Sequence, residues 1–241
     1  MLRVNTASIV TNIFGDTKNI NIMLYQLAHI LRDDFPWLWN GIDNVNGWFF
    51  ALRYGSKSEE IIGRCNEAIP YKIVSLRDCH TDAVVAFFDR QPEEAFRFFH
   101  PHGFDRQSIE RLKRNRAFLA YILKEGDTIV GYFFLRSFFW GKCFRGRMVD
   151  IDWRGKGIGT LMNRVMNSIG FGLGMRIFET VSKENVASYK SAIAASRCKV
   201  IKEMDNNDMY IEVINNHCVG GGSVVTPFAR LSDFCDERRA A

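Results

Sequence analysis

Between residues 158 and 169 the apolar side chains recur at i, i+3, i+4, i+7, i+8 and i+11: Ile158, Leu161, Met162, Val165, Met166 and Ile169. Asn163, Arg164, Asn167 and Ser168 fall on the other face, so the spacing predicts an amphipathic helix. Gly170, Gly172 and Gly174 are expected to end it, glycine being the usual C-terminal stop. Extended apolar runs lie on both sides, one ending Met148-Val149-Asp150-Ile151 and one spanning 175–181. Upstream, 71–76 reads as a strand, 81–89 as a helix, and 105–114 as a second helix with Asp105 and Ser108 near its start. Residues 117–124 and 128–138 form a hairpin pattern around Glu125-Gly126-Asp127, and 129–135 is apolar almost throughout, as in a strand covered on both faces. Downstream, 187–195 reads as a helix, and 198–204 and 209–214 as a hairpin around Asp205-Asn206-Asn207-Asp208. From residue 71 the order is β-α-α-β-β-β-α-β-α-β-β, an α/β chain.

The two ends are less patterned. Residues 20–31 form an amphipathic helix pattern with Ile22, Leu24, Tyr25, Leu27, Ala28 and Leu31 apolar. It is too short for a bilayer span of about 20 residues. Trp37, Trp39, Trp48, Phe49 and Phe50 make the following stretch aromatic-rich. Residues 1–68 are therefore expected to be a partial N-terminal domain packed on the rest, or a contact in a homodimer. Residues 69–215 form the patterned domain, and 216–241 a tail that begins near Gly220-Gly221-Gly222.

Composition narrows the classes. An apolar fraction of 47% and an aromatic fraction of 13% suffice for a core in a chain of 241 residues. The net charge of +5 is mild and does not call for a nucleic-acid partner. Polar and acidic residues interrupt every early apolar run, so no signal peptide is read and the cytoplasm is the expected location. The cysteines at 65, 79, 143, 198, 218 and 235 contain no Cys-x-x-Cys pair and are expected to be reduced. Cys79-His80 and His217-Cys218 are adjacent pairs, a poor spacing for metal ligands, so no metal is expected.

The chemistry concentrates where the strand before the central helix turns into it. Arg154, Gly155, Lys156, Gly157 and Gly159 fall within six residues. Glycines let the backbone approach a ligand, and the free N–H groups and dipole of the following helix favour an anion. Lys142, Arg145 and Arg147 add positive charge nearby. The turn should hold a phosphate or pyrophosphate. A P-loop would need Ser or Thr after Lys156, where Gly157 stands. A dinucleotide fingerprint fits at Gly155 and Gly157, with Glu179 about 20 residues on as the ribose acid, but Thr160 stands at its third glycine.

Arg154-Gly155-Lys156-Gly157-Ile158-Gly159 also matches the Arg/Gln-x-x-Gly-x-Gly/Ala signature of the GNAT superfamily of acyl-CoA-dependent N-acyltransferases, and the order of elements around it resembles the family over roughly residues 70–215. The resemblance implies a mixed, mostly antiparallel central sheet flanked by helices, with 1–68 as an addition. It implies acetyl-CoA as acyl donor and direct attack by a small-molecule amine in a ternary complex. It places Val149, Ile151, Arg154, Gly155, Lys156, Gly157, Ile158, Gly159 and Thr160 at the cofactor, with backbone N–H groups from 148–151 facing the pantetheine and thioester. Asn185-Val186-Ala187-Ser188 resembles the family's Asn-x-x-Ser/Ala, which puts Asn185 and Ser188 at the pantetheine arm; Asn185 and Ser182 also read as helix caps.

The family's usual general acid is a tyrosine seven residues after that asparagine, where this chain has Ala192. Tyr189, one turn earlier, is placed to substitute, and reads equally as a packing residue. Asp150, Glu179, and His100 and His102 of the segment Phe98-Phe99-His100-Pro101-His102-Gly103 are the candidate bases. The aromatic His-Pro-His loop and the N-terminal addition resemble bacterial amino-sugar acetyltransferases, which implies an amino-sugar nucleotide acceptor. A second reading is a non-catalytic acyl-CoA-binding module. It draws on Ala192 and on Ser196-Arg197, where the family often has Gly-Phe.

Overall fold

The computed structural model describes residues 36–215. The helix expected at 20–31 and the tail at 216–241, with His217, Cys218 and Cys235, lie outside the described residues. The chain divides into two compact units, Met1–Val45 and Asn46–Ala241, and apart from the first residues of the first helix everything below belongs to the second.

Seven strands form one sheet in the order β1-β2-β3-β4-β5-β7-β6. They are β1 (Lys72–Ser75), β2 (Phe118–Glu125), β3 (Thr128–Phe138), β4 (Lys142–Val149), β5 (Arg176–Ser182), β6 (Arg197–Glu203) and β7 (Asp208–Ile214). Every pairing is antiparallel except β4 with β5. The helices are α1 (Pro36–Glu67), α2 (Thr81–Asp89), the short α3 (Glu93–Phe96), α4 (Arg106–Arg114), α5 (Ile158–Gly172) and α6 (Val186–Ala195). Among the described residues no helix is long and apolar enough to cross a membrane.

Two apolar layers explain the long apolar runs. One face of the sheet packs on α1 and α5 through Phe50, Ile61, Phe133, Leu135, Leu161 and Val165. The other packs on α2 and α4 through Val84, Phe88, Ile109, Ile122, Tyr132 and Phe134. Central strands β2 and β3 are thus buried on both sides, which gives continuous apolar sequence in place of alternation.

Local signals set most boundaries. Asp105 caps α4 by accepting from the Ser108 N–H at 3.0 Å. Of the three glycines expected to end α5, only Gly174 does so. It sits at φ 72°, with the Met175 N–H bonded to Gly170 O at 2.8 Å and the Gly174 N–H to Phe171 O at 2.9 Å. Gly170 and Gly172 lie inside the helix, where α5 passes close to β5 and α1. The pattern gave no sign of α1, because its apolar residues are split. Phe50, Tyr54, Ile61 and Cys65 are buried, while Trp48, Phe49 and Leu52 are exposed. The short α3 was likewise not anticipated.

His102 forms a pin within the second layer. Its Nδ1 lies 2.8 Å from Gly103 O and its Nε2 lies 2.8 Å from Tyr132 Oη. A carbonyl only accepts, so Nδ1 carries the proton, and Nε2 accepts from the fully buried Tyr132 hydroxyl. Burial lowers the His102 pKa from 6.5, partly opposed by the bond to Gly103.

Two outcomes are expected. Phe50→Ala should lower unfolding free energy by about 3–5 kcal/mol in urea titration, since Phe50 belongs to the shared core. A pendant segment would leave the transition of the sheet unchanged. Because the native pKa of His102 is depressed, the unfolded chain binds its proton first, and stability falls as pH drops through about 6.5. Thermal melts of His102→Asn should show a flatter profile than wild type from pH 7 to 5.

Candidate functional site

β4 and β5 hold each other only at Lys142–Arg176, Cys143–Ile177 and Phe144–Phe178. Beyond that point β4 stays with β3 as far as Val149, and β5 stays with β7. The sheet therefore opens between them. The Asp150 N–H bonds to Val130 O at 3.0 Å, and antiparallel bonded pairs alternate. By that alternation the main-chain groups of Arg147 and Val149 point away from β3, into the gap. This narrows the expected backbone contribution of 148–151. The Asp150 N–H is used by β3, and the Ile151 N–H donates to Gln91 Oε1 at 3.1 Å. Ile151 opens a 3-10 turn in place of extending the strand.

The glycine turn follows at the end of this gap. Asp150 anchors it: one carboxylate oxygen accepts from Arg90 Nε at 2.8 Å and Gln91 Nε2 at 2.9 Å, and the other from the Asp152 N–H at 3.1 Å. Asp150 is 1% exposed, so its charge is committed to holding the turn against α2. Gly155 and Gly157 both have left-handed φ, 77° and 78°, which a side chain resists. Arg154, Gly155, Lys156 and Gly157 are exposed, and the Lys156 ammonium lies 4.3 Å from the Trp153 ring centroid. Gly157 stands at the N-cap of α5 with no side-chain cap, so the first-turn N–H groups face outward. An exposed, positively flanked helix N-terminus of this kind fits a pyrophosphate. A Cβ on Gly159 would lie 3.7 Å from both Ser191 and Val149, so α5, β4 and α6 converge beside the turn.

A buried ion trio lines the gap on the α5–α6 face. Arg145 Nε meets Glu179 Oε2 at 2.8 Å, and Arg147 Nη1 meets Glu179 Oε1 at 2.8 Å. The three side chains are 0%, 5% and 6% exposed for Arg145, Glu179 and Arg147. Arg145 also donates to Asn167 on α5, and Arg147 to Ser188 O at 3.0 Å and to the Ser188 and Ser191 hydroxyls on α6. Burial pushes the Glu179 carboxyl up, but the two guanidiniums outweigh it and hold the carboxyl below its usual range. Glu179 is thus a clamped counter-ion, which argues against its expected role as a base. Its burial between arginines, in a mostly antiparallel sheet, also overturns the dinucleotide fingerprint.

The other candidates separate. Asn185 caps α6 by accepting from the Ser188 N–H at 3.1 Å. Ser188 and Ser191 face Arg147, whereas Tyr189 packs with Val181, Ala192 and Ile211. This is the packing alternative for Tyr189, with Val181 two residues beyond Glu179 on β5. His102 has both ring nitrogens engaged, while His100 is exposed on the same loop. That loop crosses the opposite face of the sheet. The Phe99 ring lies 3.5 Å from where a Cβ on Gly146 would stand, and Arg97 pairs with Glu184 in the β5–α6 connection. Arg145 and Arg147, expected as positive charge beside the turn, are instead committed to Glu179, and Ser191 and Arg97 carried no sign in the sequence. A charged residue in an apolar strand was the available signal, but the partner that explains it is 32 positions away.

Removing one partner of the trio tests its weight. Glu179→Gln leaves two buried guanidiniums without a carboxylate and should lower stability by about 3–5 kcal/mol in denaturant titration. A loss under 1 kcal/mol would show that the trio does not hold the gap.

No family model matches the sequence, and no curated protein does. Solved structures are similar in fold. Mycobacterium smegmatis RimJ, in complex with CoA-disulfide, is 15% identical over 69% of this chain and 90% of its own, with a TM-score of 0.52. The GNAT domain of S. lividans PAT is 10% identical over 59% of this chain and 89% of its own, also at 0.52. Campylobacter jejuni N-acetyltransferase PseH is 14% identical over 60% and 97%, at 0.46. On the two likenesses at 0.52, the chain has the fold of the GNAT acetyltransferases.

Proposed function

We propose that the protein is an N-acetyltransferase that moves an acetyl group from acetyl-CoA to the amine of a small molecule, by direct attack within a ternary complex. The observation that carries this reading is the continuity of the exposed glycine turn with the β4–β5 gap. The turn from Arg154 to Thr160 would hold the pyrophosphate. The outward main chain of Arg147 and Val149, with Asn185 and Ser188 at the start of α6, would hold the pantetheine. Bound acetyl-CoA supplies an activated thioester.

The chain's own groups then divide the work. A backbone N–H turned into the gap can donate to the thioester oxygen as charge develops on it. Two guanidiniums against one carboxylate leave one excess positive charge in the wall of the gap, which favours departure of a thiolate. As the nitrogen–carbonyl bond forms and the carbon–sulfur bond breaks, the amine's proton passes to water or to His100, the exposed imidazole of the 97–104 loop. Asp150, Glu179 and His102 are engaged elsewhere. Amino sugars, amino-sugar nucleotides, amino acids and polyamines all have the required amine.

The rival reading, a non-catalytic acyl-CoA-binding module, draws support from the fully buried Ala192 at the position of the family tyrosine. Turnover with amines separates the two.

The melting temperature with acetyl-CoA, free coenzyme A or NADH tests the cofactor. A ligand at about 100 times its Kd adds about 2.7 kcal/mol, read as several degrees. Both coenzyme A species should shift the transition and NADH should not. Gly157→Glu should abolish the shift, because it places an anion at the pyrophosphate and a side chain at positive φ. No shift with wild type would overturn the reading.

A further inference from the structure

The outer side of α1 and the tip of the β3–β4 hairpin carry large apolar side chains that neither core layer uses. On α1, Phe50, Tyr54, Ile61 and Cys65 face inward and are buried. Trp48, Phe49 and Leu52 form a second stripe on the other side, and Phe139 and Trp140 stand at the hairpin tip. These five residues are between 38% and 74% exposed. They make one surface. The Phe49 and Phe139 rings lie 5.4 Å apart, Trp48 meets Phe49 edge-on at 4.9 Å, and Phe139 meets Trp140 edge-on at 5.2 Å. Trp140 also stacks on Phe138 at 4.6 Å.

The surface is held in shape from beneath. Asn46 is a buried residue of α1. Its Nδ2 donates to Ser137 O at 3.0 Å, and its Oδ1 accepts from the Phe139 N–H at 3.0 Å. One side chain thus ties the helix to the hairpin tip. The Gly141 N–H closes the turn on Phe138 O at 3.1 Å, with Gly141 at φ 87°. A contiguous apolar surface left in water, on a fixed frame, marks a docking site.

Cations flank it on both sides. On α1, Phe49, Arg53 and Lys57 follow each other at i, i+4 and i+8, and Arg53 and Lys57 are exposed. On the strand side, Arg136 lies over the Phe138 ring at 6.0 Å, and Lys142 and Arg176 over the Phe178 ring at 6.0 and 5.0 Å. The Arg176 N–H bonds to Gly141 O at 2.9 Å, which sets that residue at the base of the tip. Acids are fewer and stand further off or paired. Glu212 is held by Arg176 in a bidentate pair at 2.7 and 2.9 Å. On α1, Asp43 precedes the exposed stripe, and Glu59 and Glu60 come two turns after Leu52.

We propose that this surface docks the protein on an anionic lipid membrane, lying on it without crossing it. The rings of Trp48, Phe49, Phe139 and Trp140 enter the headgroup layer, and the flanking cations pair with lipid phosphates. Tryptophan and phenylalanine beside lysine and arginine is the composition that a membrane interface favours. A second copy of the chain fits less well. Two-fold docking would set the cations of both flanks against the same cations of the other copy. Docking also leaves the gap open, because β4 begins at Lys142 beside the tip and ends at Val149 beside the glycine turn, roughly 25 Å away at about 3.3 Å per residue. The proposal stands apart from the acetyltransferase reading.

Co-sedimentation of the full chain with vesicles tests it. One set is phosphatidylcholine alone, and the other is phosphatidylcholine with one third phosphatidylglycerol. The protein should sediment with the anionic vesicles, much less with the neutral ones, and should be released as salt rises. Trp48→Asp and Trp140→Asp should each weaken anionic-vesicle binding by roughly tenfold or more, and Arg53→Glu with Lys57→Glu should do the same. All four positions are exposed, so the melting temperature without lipid should stay at the wild-type value. Sedimentation velocity without lipid should show a monomer. Absence of binding to anionic vesicles, equal binding to both sets, or binding indifferent to the tryptophan variants overturns the proposal. A dimer that Trp48→Asp separates also overturns it, and makes the surface a contact between copies.

Discussion

The site depends on two parallel strands that part company after three residues. A parallel pair is the one place in this sheet where neighbouring strands need a crossover helix. Here that crossover begins with the glycine turn. Past the last ladder pair the two strands are joined by side chains instead of main-chain bonds. Arg145 and Glu179 occupy the first positions past the last ladder pair, and their ion pair spans the opening. Arg147 carries the connection on to α6.

Buried ion groups are weak sources of net stability, but their geometry is demanding. The trio ties β4, β5, α5 and α6 together through directional bonds. An apolar filling of the same space would be less particular about how far the strands separate. The arrangement also explains the fate of the acidic candidates. Asp150 and Glu179 are buried carboxylates, and each is held by cations or amides from elements distant in sequence. They act on the site by shaping it. The two faces of the gap are correspondingly different: a compact polar wall on the α5–α6 side, and the packed rings of Phe144, Phe178 and Tyr210 on the other.

Much of this was legible in the sequence. Asp105, Asn185 and Gly174 fix helix ends through bonds to residues within a few positions, and such short-range physics is written in local order. The α5 stripe and the two hairpins follow from periodicity, and the glycine turn follows from Gly155 and Gly157 at positive φ. The contribution of α1 to the core was not legible. α1 buries Phe50 and Tyr54 while exposing Trp48 and Leu52, so its apolar residues point both ways and no period emerges.

The sequence by itself determined the order of elements, the glycine turn and the two hairpins of the sheet, because each rests on contacts between near neighbours or on a repeat of fixed period. Only the tertiary structure decided what the titratable residues do. Tyr189 and Ser188 are adjacent on one helix yet face different neighbours, and His102 is spent on Tyr132 thirty positions away. A side chain's charge and hydrogen-bonding capacity are written in its letter, but whether that capacity remains available depends on partners that only long-range packing supplies.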